Sequence, residues 1–305
     1  MNTATHTLSS GPFSTTFLTL LRDIQTTADA FLARGSYPWY RGHRSADWTL
    51  TSTLHRHALV YLNALKVSQT DDDRMQYLLG VEKEAYYRFR REAWPYLSAA
   101  ERTDWGILNA MQHFSLPTRL LDWTQSFACA LFFAQRRRNH DETAAIWIVS
   151  SEEMNEITVG RRGLLSIREG NDVPQTMQAA AWHPAYASSA SNLPSVAAIP
   201  IFTNPRMTVQ QSAFTLMGNS FMPLEMQNSG ALLSKGVLRK ITLAPDTYED
   251  ANVFLALAGA GPSTYFPDLA GLAEDHECRT IANLRFAHKQ YPGVIDDTTS
   301  QSKDV

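Results

Sequence analysis

The chain of 305 residues has little cysteine, little charge and no long hydrophobic run. Its two cysteines, Cys129 and Cys278, exclude a disulfide scaffold and a cysteine-rich zinc site. Charged residues make up 19% of the chain and hydrophobic residues 44%, which argues against a disordered chain and against a coiled coil. The longest apolar candidate, Phe127 to Ala134, is less than half of the roughly 20 residues that a membrane span needs. Because the first residues also lack the pattern of a secretory signal, we expect a cytoplasmic protein with no membrane partner.

Several common catalytic and nucleotide-binding motifs are missing as well. The net charge of -3 excludes a globally basic nucleic-acid binder but leaves a local basic groove open. The sequence has no Gly-x-Gly-x-x-Gly, no P-loop, no Gly-x-Ser-x-Gly and no His-Glu-x-x-His. The nine histidines show no metal-ligand spacing with a third partner, so we expect no metal site.

Hydrophobic periodicity and chain-breaking residues predict the secondary structure. Helices are expected over residues 13–34, 74–94, 104–113, 125–138, 246–258 and 269–287. Strands are expected at residues 39–40, 144–150, 196–202, 213–217 and 237–243, and residues 47–53 fit either a strand or a turn. Because helices and strands do not alternate regularly, the order indicates an α+β protein rather than a doubly wound sheet.

The same pattern suggests how the chain is organised. We expect an N-terminal helix within residues 1–34, packed on the core of a single large mixed domain over residues 35–290. Residues 159–195 are rich in Ala, Ser, Gly and Pro and should form a long loop. The polar residues 291–305 should form a disordered tail.

The densest candidate site is the stretch Trp39-Tyr40-Arg41-Gly42-His43-Arg44. An arginine at a strand end offers five donors in a planar fork, which suits phosphate or carboxylate. The glycine after Arg41 would let a ligand approach the backbone closely. Two arginines and a histidine within four residues predict a compact anion site, and the alternative is a strand end with solvated charges.

A second candidate site runs from Met111 to Thr124, between two predicted helices. His113 stands at a helix end, where it is either functional or complements the helix dipole. Arg119 lies in an apolar stretch and needs a partner if it is buried, and Asp122 is the nearest carboxylate. Asp122 or Thr124 would alternatively cap the following helix.

Two weaker clusters follow. Asn204-Pro205-Arg206 leads to the glutamines Gln210 and Gln211, or is a turn with polar flanks. Because adjacent strand residues face opposite ways, only one of the two glutamines should face a site. The stretch from Tyr265 to Leu269 is typical of a helix start and is interpreted as structural.

In this order, these blocks resemble the FRG domain family, whose aromatic-Arg-Gly motif is Tyr40-Arg41-Gly42 here. The resemblance covers about Trp39 to Ala273, and it departs from the family pattern at Ser115 and Ser212, where glycine is expected. FRG proteins look like bacterial and phage-linked effectors. The resemblance therefore implies a toxin or an anti-phage defence protein, with an antitoxin as one candidate partner.

The motif Tyr40-Arg41-Gly42 is also similar to the first strand of ADP-ribosyltransferases of the Arg-Ser-Glu type. That resemblance implies a small, mainly antiparallel split sheet and NAD as substrate, with Arg41 holding its phosphates and ribose. The candidate catalytic residues are Arg41, His113, Arg119, Asp122 and Gln211. The candidates for NAD binding are Tyr40, Arg41, Gly42, Arg44, Trp123, Thr124, Arg206 and Phe214. The ring that stacks on NAD would be that of Trp39, Tyr40, Trp123 or Phe214. Because a neutral Gln cannot offset a positive ribose as a carboxylate does, Asp122 and Glu225 are further candidates for that role.

Three functions stay open at this point. The first is an NAD-consuming ADP-ribosyltransferase that modifies RNA, DNA or protein. The second is a metal-independent nuclease or phosphoesterase, with His43 or His113 as acid and base and Arg41 with Arg119 on the phosphate. The third is a non-catalytic module that senses a nucleotide through the same groups. The run Arg136-Arg137-Arg138 would guide an RNA, or it is a solvated helix end.

Overall fold

The computed structural model describes residues 13–64, 70–167, 179–186 and 193–290. The strands in this part of the chain are β1 (Pro38–His43), β2 (Leu120–Thr124), β3 (Ala144–Ser150), β4 (Leu165–Ser166), β5 (Val196–Ile199), β6 (Ser212–Leu216) and β7 (Leu238–Leu243). They form one sheet in the order β4-β5-β6-β2-β1-β3-β7. Only the short pair of β4 and β5 is parallel among these strands, so the predicted α+β class with a mainly antiparallel sheet is confirmed.

Helices surround this sheet, and several begin at a good capping residue. Their bounds are α1 (Thr15–Ala33), α2 (Thr53–Ala64), α3 (Asp71–Ala93), α4 (Asp104–His113), α5 (Phe127–Gln135), α6 (Ser151–Val159), α7 (Pro205–Val209), α8 (Gln227–Ser234), α9 (Tyr248–Leu257), α10 (Pro262–Tyr265) and α11 (Leu269–Gln290). The side chain of Thr70 caps α3 and that of Thr103 caps α4, each accepting from a backbone N–H of the first turn. None of the described helices is both long and apolar enough to cross a bilayer.

The sheet is split between its two central strands. β1 pairs with β2 at a single position, Tyr40 with Thr124. By contrast, β1 pairs with β3 along its whole length, and β2 does the same with β6. The sheet therefore consists of two well-paired halves, β1-β3-β7 and β4-β5-β6-β2, which are joined at one point.

Apolar side chains cover both faces of the sheet. On one face, α1, α5 and α9 pack on β1 and β3, around Phe17, Leu131 and Ile146. On the other half of that face, α3 and α4 pack on β2, β5 and β6. The opposite face is covered by α6 and α8, over a core that contains Trp39 and Trp123. The helices α4 and α5 thus flank the place where the two halves of the sheet meet.

The sequence predictions differ from the structure in a few places. Residues 120–124 were expected to link two helices but form β2, so Asp122 and Thr124 are strand residues, and Ser126 is the residue that caps α5. Helices α2, α6, α7, α8 and α10 were not predicted. Residues 47–52 form no strand but the end of a turn and irregular chain that leads into α2. Within the expected loop 159–195, the described residues include β4 and a 3-10 helix at residues 179–182. The expected tail over residues 291–305 lies outside the described residues, and the domain boundaries stay predictions.

Candidate functional site

A cleft of about 880 Å³ opens where β1 and β2 part. It is lined by residues of both strands, by α4 and α5, and by two carboxylates, Asp47 and Asp122. Six arginines line the same cleft: Arg41, Arg44, Arg56, Arg136, Arg137 and Arg206. Since the chain as a whole carries a net charge of -3, this excess of positive charge is local. Such a cleft favours an anionic ligand.

Arg41 crosses the gap between the two strands. Its Nη1 donates to the backbone carbonyl oxygen of Asp122 at 2.5 Å, and its Nε donates to Nε2 of His43 at 2.9 Å. The same Nη1 lies 4.0 Å from the Asp122 carboxylate, and 20% of the Arg41 side chain is exposed. Burial lowers the pKa of Arg41 to about 10 although Asp122 opposes this, so the guanidinium keeps its charge at neutral pH.

His43 serves to position Arg41. Its Nε2 accepts from Arg41, and its Nδ1 lies 3.3 Å from the carbonyl oxygen of Trp48, to which it donates. Burial, and then the charge of Arg41, lower the pKa of His43 to about 3. The imidazole is therefore neutral and both of its nitrogens are occupied. With both nitrogens hydrogen-bonded, His43 does not fit the acid–base role that the nuclease hypothesis gave it.

Asp122 projects a carboxylate into the cleft from β2. The Nε2 of Gln112 donates to its Oδ2 at 2.7 Å, and the Oε1 of Gln112 accepts from the hydroxyl of Thr118. This short chain of hydrogen bonds fixes the orientation of a side chain that is still 56% exposed. The carboxylate is therefore both held in place and accessible to a ligand.

His113 lines the cleft at the end of α4. Burial, followed by the nearby charge of Arg206, lowers its pKa, so the ring is neutral at physiological pH. Arg206 approaches the same corner and donates from Nη1 to the backbone carbonyl oxygen of His113 at 3.4 Å. His113 therefore presents a neutral imidazole to the cleft, with cationic groups beside it.

A comparison with known protein families matches a part of the chain that lines this cleft. The family model of the FRG domain matches residues 36–143. The chain contains an FRG domain. The matched residues supply β1, β2 and α4 and therefore Arg41, His113 and Asp122, whereas Arg206, Gln210 and Phe214 of the cleft lie beyond them. The chain matches no curated protein and no solved structure.

The glycine of the aromatic-Arg-Gly motif in the FRG domain has a packing role. A Cβ on Gly42 would lie 1.9 Å from the carbonyl oxygen of Ala130 and 2.7 Å from the backbone nitrogen of Ala134. Helix α5 therefore rests directly on β1, and any side chain at this position would push it away. Gly42 lines the cleft, but it must be glycine because helix α5, rather than a ligand, closely approaches its backbone.

The aromatic residues predicted to stack on NAD are part of the protein's core. Tyr40, Trp123 and Phe214 line the cleft, but all three are buried. The Nε1 of Trp123 donates to the hydroxyl of Thr215 at 2.8 Å. Thr124 is also buried and donates to the carbonyl oxygen of Gln210 at 2.6 Å. Trp39, another stacking candidate, belongs to the core on the opposite face.

Two cleft residues of the FRG domain were missed. Trp48 lines the cleft with 47% of its surface exposed, and the guanidinium of Arg44 lies 5.0 Å from its ring centre. Arg56 reaches the cleft from α2, a helix that the sequence analysis did not find. The turn-like composition around Asp47 was a signal in the sequence that could have indicated an exposed Trp48.

Arg119 was expected at the site and with Asp122 as its partner, and both expectations are wrong. Its side chain is 2% exposed and is paired with Glu82 of α3, from Nε at 2.8 Å and 3.1 Å and also from Nη2. The cleft lining does not include it. Among the described residues no hydrogen-bond partner is found for its Nη1. Arg119 therefore joins α3 to β2 inside the protein.

The glutamines and Glu225 also differ from expectation. Gln210 ends α7 and Gln211 has a left-handed φ of 46°, so both precede β6 and strand alternation does not apply to them. Gln210 lines the cleft and donates from Nε2 to the carbonyl oxygen of Tyr265 at 2.9 Å, whereas Gln211 is exposed outside the lining. Glu225 is buried and accepts from the backbone N–H of Leu50 at 3.1 Å, away from the cleft.

The arginine run after α5 divides between the cleft and the core. Arg136 and Arg137 line the cleft. Arg138 is buried and donates to the backbone carbonyl oxygens of Glu142, Leu243 and Ala244. Within the described part of the chain, no group of His, Cys, Asp and Glu side chains is arranged to hold a metal ion.

Proposed function

We propose that the cleft binds NAD and transfers its ADP-ribose group to a macromolecular target. The observation that carries this proposal is Arg41, which stands at the split of the sheet with the accessible carboxylate of Asp122 4.0 Å away. An FRG domain at residues 36–143 is compatible with a nucleotide-related role. NAD carries a pyrophosphate, and guanidinium forks bind phosphate oxygens in pairs.

Two further arginines of the cleft, Arg44 and Arg56, fit the phosphates of such a ligand together with Arg41. The described bonds of Arg41 use Nε and Nη1, so Nη2 remains to donate to a phosphate oxygen. Arg56 lies near enough to Arg41 for its charge to lower the pKa of Arg41. Arg44 reaches the cleft beside Trp48. Together these groups supply the positive charge that two adjacent phosphates require.

The chemical step needs stabilisation of charge more than it needs covalent help from the protein. When the bond between the nicotinamide nitrogen and ribose C1′ breaks, nicotinamide leaves as a neutral base with the bonding electron pair. The ribose then carries the positive charge until a nucleophile of the target bonds to C1′ and loses a proton. Asp122, held by Gln112, offers a fixed negative charge for that ribose. In this proposal Asp122 takes the role that was expected of Gln211.

A metal-independent nuclease or phosphoesterase is the second candidate, because of His113. This histidine is neutral in an arginine-lined cleft and can accept the proton of an attacking hydroxyl group. Arg41 and Arg206 would hold the phosphate, in place of Arg119. This function requires no NAD and predicts cleaved strands.

The test incubates the full chain with NAD labelled in its adenylate part, together with RNA, DNA or protein in separate tubes. Free nicotinamide is measured by mass spectrometry, and the label is followed into each pool. Arg41→Ala and Asp122→Asn should each lower nicotinamide release about 100-fold or more. Arg102→Gln is the matched control, because its guanidinium lies over the ring of Trp94, 5.4 Å from the ring centre, and outside the cleft lining.

Each result selects between the two candidates. Nicotinamide release that survives in the control and is lost in both cleft variants supports ADP-ribosyl transfer. Folded wild-type protein that releases no nicotinamide with any pool contradicts it. Strand cleavage without NAD that disappears in His113→Ala supports the nuclease instead.

A further inference from the structure

A second pair of arginines meets at the cleft on the ring of Phe266. The guanidinium carbon of Arg206 lies 4.3 Å from the centre of this ring, and that of Arg136 lies 4.5 Å from it. Both arginines line the cleft. The stretch around Phe266 was interpreted as structural, and this contact shows that it also holds two cationic side chains of the cleft. A guanidinium on an aromatic face is held at a defined position while its N–H groups stay free to donate.

Three segments that are distant in sequence build this arrangement. Phe266 is buried and packs its ring near those of Phe132 and Phe133 of α5. A Cβ on Gly271 would lie 2.0 Å from the carbonyl oxygen of Phe266, so α11 packs tightly against this connection. The bond from Gln210 to the carbonyl oxygen of Tyr265 ties the end of α7 to the same place. The position of the ring is therefore fixed from several sides.

The two arginines differ in how their charge is balanced. Arg136 is paired with Glu274 through two hydrogen bonds, at 2.8 Å from Nε and 2.6 Å from Nη2. Arg206 has no carboxylate within ion-pair distance among the described residues, and its described hydrogen bond goes to the carbonyl oxygen of His113. Arg206 is thus the cation of this pair whose charge is left for a ligand.

We propose that Arg206, positioned by Phe266 and Arg136, binds a backbone phosphate of a single-stranded nucleic acid. The inference rests on the proposed function, in which this nucleic acid is the acceptor of ADP-ribose. The two phosphates of NAD are met by Arg41 with Arg44 and Arg56, so Arg206 is the arginine that the donor does not use. Asp122 lies near enough to both Arg41 and Arg206 to favour the charged form of each guanidinium. A ribose held at Asp122 would therefore stand close to the phosphates of NAD on Arg41 and to the nucleic acid on Arg206.

The exposed ring of Trp48 favours a nucleic acid over an acidic protein. It stands in the same cleft, 47% exposed, and offers a surface for stacking a base. A positively charged groove combined with an exposed aromatic ring is how proteins bind single strands without reading their sequence. An acidic peptide would need the charge but not the ring. A base stacked within a duplex would be out of reach of a group inside a cleft, so the strand is single.

The test measures binding of fluorescein-labelled single-stranded RNA and DNA of about 12 nucleotides to the full chain, by anisotropy, without NAD and over a range of salt concentrations. Arg206→Gln should weaken binding about tenfold and reduce the slope of log affinity against log salt by about 0.7, since one phosphate contact is lost. Phe266→Leu keeps both charges but removes the ring, and should weaken binding about threefold if its melting temperature shows that it is folded. The matched control Arg102→Gln, also an arginine on an aromatic ring, should bind as wild type does.

Nicotinamide release without an acceptor is measured on the same variants, so the two proposals can fail separately. Oligonucleotide binding that Arg206→Gln weakens by a larger factor than it lowers nicotinamide release supports the subsite. Weakened binding by Arg206→Gln, together with a wild-type protein that releases no nicotinamide with any acceptor pool, supports the subsite and contradicts ADP-ribosyl transfer. The inference is overturned if Arg206→Gln binds oligonucleotides as wild type does, or if release falls as much as binding. It is also overturned if wild type binds no oligonucleotide, or if poly-glutamate displaces it as well as unlabelled RNA does.

Discussion

Arg41 in the cleft and Arg119 beneath α3 belong to the same FRG domain, but they bond to different kinds of partner. Arg119 is 2% exposed and faces the carboxylate of Glu82, which is itself 1% exposed. Arg41 donates instead to a backbone carbonyl oxygen and to a neutral imidazole, with 20% of its side chain open to the cleft. Both arginines come from motif blocks that look equally functional in the sequence.

The partner decides what an arginine can do. A buried carboxylate compensates the charge of Arg119 completely, and the pair then stabilises the contact between α3 and β2 without attracting a ligand. Neutral hydrogen-bond partners hold Arg41 in place, and the carboxylate nearby, that of Asp122 at 4.0 Å, is exposed, so more of the charge of Arg41 is left to attract an anion. We therefore assign a binding role to Arg41, whose hydrogen-bond partners are neutral, and a structural role to Arg119, whose partner is a buried carboxylate. Substitutions can test both assignments.

The largest effect on stability is expected from Arg119→Ala. This change leaves the carboxylate of Glu82 buried without a partner, which should lower the free energy of unfolding by about 3–5 kcal/mol. Urea denaturation followed by circular dichroism measures the change. A loss under about 1 kcal/mol would mean that water reaches Glu82 and that the pair is not structural.

A double substitution sharpens the same point. Replacing both partners, as in Glu82→Leu with Arg119→Met, removes the unpaired charge and keeps much of the volume. The double variant should regain about 2 kcal/mol or more of the stability that Arg119→Ala loses. The comparison of the two urea midpoints tests this, and a double variant less stable than Arg119→Ala would contradict it.

Two neutral histidines extend the comparison to pH, one beside each arginine. Burial, with Arg41 nearby, lowers the pKa of His43 to about 3, and burial, with Arg119 nearby, lowers that of His55 to about 4. Because each folded-state pKa lies below the unfolded value near 6.5, unfolding takes up protons below that pH. Stability is then complete above about pH 6.5 and falls as pH decreases toward the folded pKa values. At pH 5 each histidine should lower stability by about 2 kcal/mol.

Single substitutions separate the two contributions. His43→Gln and His55→Gln should each remove about 2 kcal/mol of the loss between pH 7 and pH 5, measured from the change in urea midpoint. The exposed His57 of the same helix as His55 provides the matched control, His57→Gln, for the replacement of a histidine by glutamine. If neither buried histidine alters the slope, both of them are protonated in the folded protein and the assigned neutral role of His43 is wrong.

Local signals in the sequence predicted much of this fold. The bounds of α4 and β3 were predicted to the residue, because capping and apolar runs are local. Strand β2 was missed because its five residues between two helices show little alternation on their own. The partner of Arg119 was missed for a different reason: Glu82 is 37 residues away, and only the packing of α3 brings the two together.

The candidate site shows the same division between local and distant information. Arg41, His113 and Asp122 were predicted from the chemistry of their motifs, and all three line the cleft. Arg56 and Trp48 were missed, because their relevance depends on where a helix and a turn pack. The contact between Arg206 and Phe266 joins residues 60 positions apart, so no local pattern announces it.

The smallest effect on stability and the largest on function are expected from Arg41→Ala. The substitution leaves the carbonyl oxygen of Asp122 and the Nε2 of His43 without their donor, which should lower the free energy of unfolding by about 1 kcal/mol, since water can enter from the cleft. Nicotinamide release, by contrast, should fall about 100-fold or more, because the group that holds the phosphates is gone. Urea denaturation and nicotinamide release are measured on the same preparation. If Arg41→Ala proves as unstable as Arg119→Ala, the two arginines are alike, and neutral partners do not mark the one that binds a ligand.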